Sequence, residues 1–497
     1  MEKIKNFIVP DPDVLKLEIT EDSYPFNMAS KQRNPIDISK YGYIEEEYLI
    51  SGKANVYAWK GSNDAPFIRS SNCPYCTRIL VRKPADPKQF SGHVMVECMH
   101  AGQKIDNPHV GWGSCYEQIL KSGDGWVGVS VAGATFKALK NFNPERYEKL
   151  SYPNPLPPEE RGPVGNMASS PDQIVKNRGK VLPDDPTTEK GLDMDMFSQV
   201  SAAIKRGKPG TPFYGYNAKY TYIIGVTFAE IPCYSAAVLP FSYLDEEHLI
   251  YDAAVVYMSG RAGNLNREEG SLSWDDPRTK CGGKVPIIRL MDAGDLRGTD
   301  PHPLWAGMVR SKNTDEPGNI GRTYEIAGTS LKYCTSGKWS TYPNWDEIEK
   351  AGMTEECSGP NDIAGFDGSK WPVNSMMAPI INGLFKNLKD WAAKGISLPM
   401  AEYIDSKAEY PDFVFYLDEH GNQKGGVRNH YVDVPIATYV DNGDIIPFST
   451  EKKNELYGSK DNWLKLTRQC LDKMIADRWI LSEDAEYLYE EAKRVPW

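Results

Sequence analysis

The sequence predicts an α/β protein: a mostly parallel sheet covered by helices on both faces, with long lid-like insertions. Two observations carry that class. Short, near-continuous apolar runs rich in Val, Ile and Tyr recur along the chain, as in strands buried on both faces. Segments with apolar residues at helical spacing separate them, the alternation that parallel crossovers require. No internal repeat or low-complexity tract is visible.

Taken in order, Arg78-Ile79-Leu80-Val81-Arg82 alternates and stops at Pro84, which predicts a partly exposed strand. His93 to Cys98 is a second, mostly apolar strand. A short helical face follows at Tyr116 to Leu120, and Trp126 to Val131 is a third strand. From Asn141 to Leu192 the chain is rich in Pro, Glu and Asp and sheet periodicity vanishes, as in a lid or binding loop. Phe197, Val200, Ala203 and Ile204 place a helix over Met196 to Ile204. Further strands are expected at Tyr220–Ile224, Ala253–Met258, Val285–Leu290 and Tyr324–Ala327. Ile380, Leu384, Leu388 and Trp391 lie on one face of a helix from about Ala378 to Ala393, and the last forty residues read as two helices.

The composition closes off several functions. The 497 residues carry 57 basic and 68 acidic side chains, a net charge of -11, and no basic stripe, which argues against a nucleic-acid binder. Hydrophobic residues at 40% supply a large core, so a disordered chain is not expected. The N-terminal stretch has no continuous apolar region resembling a secretory signal. No run approaches the ~20 apolar residues of a membrane span. Nine scattered cysteines fit a reducing, cytoplasmic setting better than a disulfide framework. Cys73-Pro-Tyr-Cys76 has no second pair at ligand spacing, so no metal site is expected. No phosphate-binding or dinucleotide-binding glycine motif appears, and no cofactor is implied.

Ligands of open α/β sheets sit beyond the carboxyl ends of the strands. Four such ends carry unusual residues: Met99-His100-Ala101-Gly102, Gly225-Val226-Thr227-Phe228-Ala229, Met291-Asp292-Ala293-Gly294-Asp295, and Ala327-Gly328-Thr329-Ser330-Leu331. Strand, Gly-x-Thr-x-Ala, then helix has the shape of a nucleophile elbow, with the Phe228 amide as an oxyanion donor. Thr227 as a helix N-cap explains the same pattern. Asp292 and Asp295 form either a paired-carboxylate site or turn caps paired with Arg297. Glu97 and Glu230 are alternative acids, Glu97 otherwise bonding to a neighbouring strand's backbone. His109 and His302 fall in loops at the expected mouth. His93 is expected in a packed interior, and His248, His420 and His430 at surface or structural positions. Trp112, Phe136, Phe142, Tyr147 and Tyr152 suit an apolar pocket wall or lid packing equally.

Several segments resemble the large bacterial and fungal α/β-hydrolase-domain proteins. They are EYLISGKANVY at 47–57, TRILVRKPADP at 77–87, FSGHVMVE at 90–97, GWVGVS at 125–130, RTYEIAG at 322–328, DEHGN at 418–422, GGVR at 425–428 and VDVP at 432–435. Their order and reach imply an α/β-hydrolase-type domain over residues 46–497 behind an N-terminal extension, 1–45, with insertions at about 141–192, 296–320 and 334–372. The resemblance also exposes two departures. Thr227 stands where the family has its elbow serine, and Leu331 where it has its histidine. Asp292 and Asp295 keep the acidic corner, Asp295 being the better match. Leucine cannot accept a proton, so an ordinary Ser-His-Asp esterase is not expected.

His100 follows the strand whose loop, in the resembling family, contributes to the oxyanion hole, with Met99 and Ala101 beside it. Its imidazole is the candidate replacement base, or else bonds loop carbonyls. The expected function is cofactor-independent hydrolysis of a small apolar or aromatic ester or lactone by Thr227, His100 and Asp295. A lyase, isomerase or dehydratase working in the same crevice, and a non-catalytic binding protein, are the alternatives. The expected partner is a small-molecule substrate, with neither nucleic acid nor membrane; a homo-oligomer is left open.

Overall fold

A computed structural model of the chain describes residues 8–59, 66–101, 104–131, 133–161, 186–226, 243–257, 265–267, 283–297, 310, 312–330, 339, 341–355, 357, 374–407, 414–441 and 443–497. Its strands are β1 (Asp13–Leu17), β2 (Tyr43–Ala58), β3 (Phe67–Pro84), β4 (His93–Cys98), β5 (Gly125–Val129), β6 (Tyr220–Val226), β7 (Ala253–Tyr257), β8 (Ile287–Asp292), β9 (Gly321–Ile326), β10 (Ala437–Tyr439) and β11 (Ile445–Pro447). Its α-helices are α1 (Gly111–Ser122), α2 (Gly133–Phe142), α3 (Pro144–Tyr147), α4 (Asp193–Arg206), α5 (Ala293–Arg297), α6 (Trp345–Lys350), α7 (Met377–Lys394), α8 (His430–Asp433), α9 (Thr450–Tyr457), α10 (Lys460–Ala476) and α11 (Ser482–Arg494).

Among the described residues nine strands form one sheet in the order β1-β2-β3-β5-β4-β6-β7-β8-β9. β1, β2, β3 and β5 pair antiparallel; from β5 onward every pairing is parallel. β1, inside the N-terminal stretch, is thus part of the sheet. Alternate residues of one strand feed two cores, as the pleat requires. Val94 and Val96 face α2 and α4 through Leu139, Phe197 and Val200. Met95 faces α1, α7 and α11 through Cys115, Ile380 and Leu488. Among the described residues no helix is long and apolar enough to cross a membrane.

One expectation needs correction. Arg78 and Arg82 are fully buried, not on an exposed edge. Both lie on the α1 side of β3, where carboxylates from distant segments and aromatic faces replace water. Arg82 stacks 4.2 Å from the Trp112 ring centroid and 4.5 Å from that of Trp126, and pairs with Glu45. Cys73 and Cys76 lie on β3, are buried in the same hydrophobic core, and are not bridged. Cys73, Cys76, Cys98, Cys115, Cys357 and Cys470 are all free thiols.

Candidate active site

The parallel register sets the carboxyl ends of β4, β6, β8 and β9 along one side of the sheet. Glu97 of β4 pairs with Ile224 of β6, and His100 and Thr227 each lie three residues further on. Tyr257 of β7 pairs with Leu290 of β8, and Asp292 with Ile326 of β9. Thr227, Phe228 and Leu331 lie outside the described residues, as do Glu230 and His302. Asp295 falls in α5, with its side chain outside what is described.

The β4–α1 loop carries His100 and His109. His100 N donates to Asn107 O at 2.8 Å and Asn107 N returns the bond to His100 O at 3.1 Å. Met99 N donates to Val129 O at 3.0 Å. The Met99 amide is therefore spent on the sheet, whereas Ala101 N makes no hydrogen bond among the described residues. Of the residues expected around an oxyanion, this loop leaves Ala101 as a donor and removes Met99.

Asp106 anchors the loop by accepting from Ser130 Oγ and from Arg78 Nη1, the latter at 3.1 Å. Arg78 also pairs with Glu47 and donates to Phe26 O at 2.5 Å. Glu47 in turn accepts from Arg146 Nε and from Tyr147 OH, the latter at 2.7 Å. Three guanidinium groups, Arg78, Arg82 and Arg146, thus meet three carboxylates, Glu45, Glu47 and Asp106. A buried ion pair stands only when its charges are matched, and here three of each sign meet. Tyr147 belongs to it and not to a pocket wall.

His109, from the same loop, places its ring centroid 5.2 Å from that of His100. His100 is partly exposed, and desolvation holds its imidazole down at about pH 4. His109 is buried, and desolvation together with the neighbouring His100 lowers it well below the ordinary histidine value. Both rings are neutral at neutral pH, the form that accepts a proton.

Glu97 has a different part from the two weighed in the sequence. Its Oε1 accepts from Val110 N at 3.0 Å and Gly111 N at 2.9 Å, and its Oε2 from Trp112 N and Trp126 Nε1, both at 2.8 Å. The Ncap residue Val110 has no capping side chain, so a carboxylate from the sheet satisfies the orphan amides and faces the positive helix end. Burial pushes the Glu97 carboxyl up, and the four donors pull against it. A Cβ on Gly111 would lie 2.6 Å from Oε2, so only glycine lets the carboxylate this close.

On the far side, Asp292 is fully buried and accepts from Tyr257 OH at 3.2 Å. Gly294 lets the chain turn there: a Cβ would meet Asp441 O at 2.5 Å, Asp292 Oδ1 at 3.1 Å and Ser330 Oγ at 3.4 Å. The acidic corner and the end of β9 therefore adjoin. The segment after β9 is held from the C-terminal part of the chain. Gly328 N donates to Gln423 Oε1 at 2.9 Å, Asn429 Nδ2 to Ala327 O at 2.8 Å, and Asn374 Nδ2 to Gly328 O. Gly328 has φ +72°, and a Cβ would lie 2.5 Å from Val432 Cγ1. Gly328→Ala is expected to cost at least about 2 kcal/mol in denaturant unfolding, from the left-handed backbone and the clash together.

His93, Nδ1 2.8 Å from Tyr222 OH and stacked on Tyr220, begins β4 at the opposite end of the strands. His248 is exposed beside Asp245, and His430, the first residue of α8, is buried.

The fold and this convergence of strand ends define a protein of the α/β-hydrolase type. The chain belongs to the alpha/beta hydrolase domain family, which it matches over residues 9–490. No curated protein matches it. Among solved structures it is similar to Thermogutta terrifontis esterase 2 phosphorylated by paraoxon, at 11% identity and TM-score 0.26, covering 50% of this chain and 76% of that one. A Klebsiella pneumoniae subsp. pneumoniae protein proposed to be a dienelactone hydrolase is similar at 10% identity and TM-score 0.27, over 62% of this chain and 96% of that one. A cold-adapted esterase from an Arctic intertidal metagenomic library is similar at 10% identity and TM-score 0.25, over 60% and 90%.

Proposed function

We propose that this protein hydrolyses a small apolar or aromatic ester or lactone without a cofactor, through a non-standard site. The observation that carries it is the register of β4 and β6, which sets His100 and Thr227 equally far beyond paired residues, together with the neutral state of His100. Thr227 Oγ attacks the acyl carbon while His100 takes its proton. The Ala101 and Phe228 amides receive the developing oxyanion, and Asp295 is the acidic partner. The leaving alkoxide recovers the proton from His100. Water then enters by the same base, releasing the acid and restoring Thr227. The free thiols support a reducing, cytoplasmic setting.

Turnover of short acyl esters and aromatic lactones in oxygen-labelled water tests the proposal. Label enters the acid product, and both Thr227→Val and His100→Gln abolish turnover; unchanged activity in either variant overturns it. Because the base must be neutral, kcat/KM holds as the pH falls and drops only through about pH 4, not near the ordinary histidine value.

A second reading rests on the threonine and leucine at positions 227 and 331, where the resembling family has serine and histidine. There the crevice moves a proton without an acyl-enzyme, in a lyase, isomerase or dehydratase. A product that keeps every substrate atom and takes no label from solvent distinguishes it.

A further inference from the structure

The base and the acid of the hydrolytic reading stand on opposite sides of the strand that Thr227 follows. β4, which leads to His100, lies next to β6, and both β6 and β7 separate it from β8. Three steps across a sheet cover about 14 Å. An aspartate carried at the end of β8 is too far away to touch an imidazole beyond β4. A catalytic base needs a third group to fix its ring and its tautomer, and for His100 that group has to come from nearer by.

The nearer carboxylates are turned elsewhere. Glu97 of β4 accepts from three amides at the start of α1 and from Trp126 Nε1. Asp106, in the same loop as His100, faces Arg78 and Ser130. Glu45 and Glu47 of β2 are held by Arg82, Arg78 and Arg146. Desolvation alone sets the low value of His100, with no carboxylate acting against it.

His109 is the group within reach. The paired backbone bonds between His100 and Asn107 fold the loop back on itself, and the two rings come to 5.2 Å between centroids, inclined at 44°. At that spacing a ring N–H of one meets a ring nitrogen of the other directly or through one water. Each neutral imidazole has one donor and one acceptor, so the pair is complementary. The stretch that carries His109 is pinned on both sides, by Thr341 Oγ1 donating to Pro108 O at 2.5 Å and by Val110 N donating to Glu97 at 3.0 Å. His100 is partly exposed and His109 buried, so His100 is the ring that meets substrate and His109 the one behind it.

We propose that His109 is the positioning residue of the site: its ring holds His100 in one tautomer and one orientation, in the place that a carboxylate takes beside the base of a Ser-His-Asp triad. The proposal rests on the hydrolytic reading, in which His100 is the base. Being uncharged, His109 orients the imidazole without the charge that a carboxylate would set against the imidazolium.

Proton–nitrogen correlation spectra of the full chain with isotope-labelled histidine, recorded at neutral pH, read the tautomer of each imidazole, and the signals lost in His100→Gln assign His100. In the wild type His100 shows a single tautomer. In His109→Leu it shows both, and in His109→Gln, whose amide still donates and accepts, it shows one. His109→Phe serves in the same way should the leucine variant not fold. Turnover is followed beside the spectra: kcat falls about a hundredfold in His109→Leu with KM unchanged, and His109→Gln recovers most of it. Mixed tautomers in the wild type, a single tautomer in His109→Leu, or an unchanged kcat in that variant overturns the proposal. A chain that hydrolyses no ester, yet whose His100 tautomer responds to position 109 as stated, overturns the hydrolytic reading and leaves the pairing of the two rings standing.

Discussion

Replacing Glu97 by alanine is expected to lower the unfolding free energy by about 3–5 kcal/mol, among the largest single effects in the molecule. Three consecutive backbone amides and an indole N–H converge on this one buried carboxylate. Removing it leaves them unsatisfied at the positive end of α1, in a core too dense for water to replace every bond. Glu97→Gln is not a mild substitute. Oε2 accepts from two donors, and an amide nitrogen at either carboxyl position would point its own hydrogens at donors. A loss of about half the alanine effect is expected, read from denaturant midpoints, with circular dichroism reporting whether α1 frays. Equal stability of wild type and alanine variant would mean that the helix start is held by packing alone.

The second large effect is expected at Arg78. Arg78→Met keeps the length of the side chain and strips the charge, leaving Asp106 and Glu47 buried with one cation fewer. Breaking a buried pair by removing one partner costs about 3–5 kcal/mol. Here the damage has an address: Asp106 anchors the loop in which His100 and Asn107 exchange backbone bonds. Hydrogen exchange at the Asn107 amide should accelerate before global unfolding. A cycle with Asp106→Asn isolates the coupling, since the two changes should be far less than additive. Strict additivity would show that the residues do not act as a unit.

These two residues also mark how far the sequence could be read. Strands buried on both faces announce themselves by composition, and β4 has the bounds expected for it, while β6, β7 and β8 begin or end within two residues. Apolar burial is a property of the segment itself. The fate of Arg78 is not: its partners lie 31 residues upstream and 28 downstream, and without them the alternation around it looks like an exposed strand. Glu97 was legible as a strand-ending acid, but its ligands belong to a helix whose start carries no capping side chain. The strand-end rule depends on topology alone, and the parallel register sets the ends of β4, β8 and β9 on one edge of the sheet. It could not foresee that the Met99 amide is consumed by Val129, a matter of individual hydrogen bonds. His109 carried a faint signal, lying nine residues from His100 in the same loop.

The ties on the segment after β9 have a consequence for the timing of synthesis. Residues 327–330 are fixed by Asn374, Gln423, Asn429 and Val432, all made later. When Ser330 leaves the ribosome, about a hundred residues are still to come, which at ordinary elongation takes about 5–20 s. Throughout that interval the nascent chain can pair its strands yet cannot close the acidic corner, so the crevice becomes complete only when translation of the C-terminal segment has caught up with it.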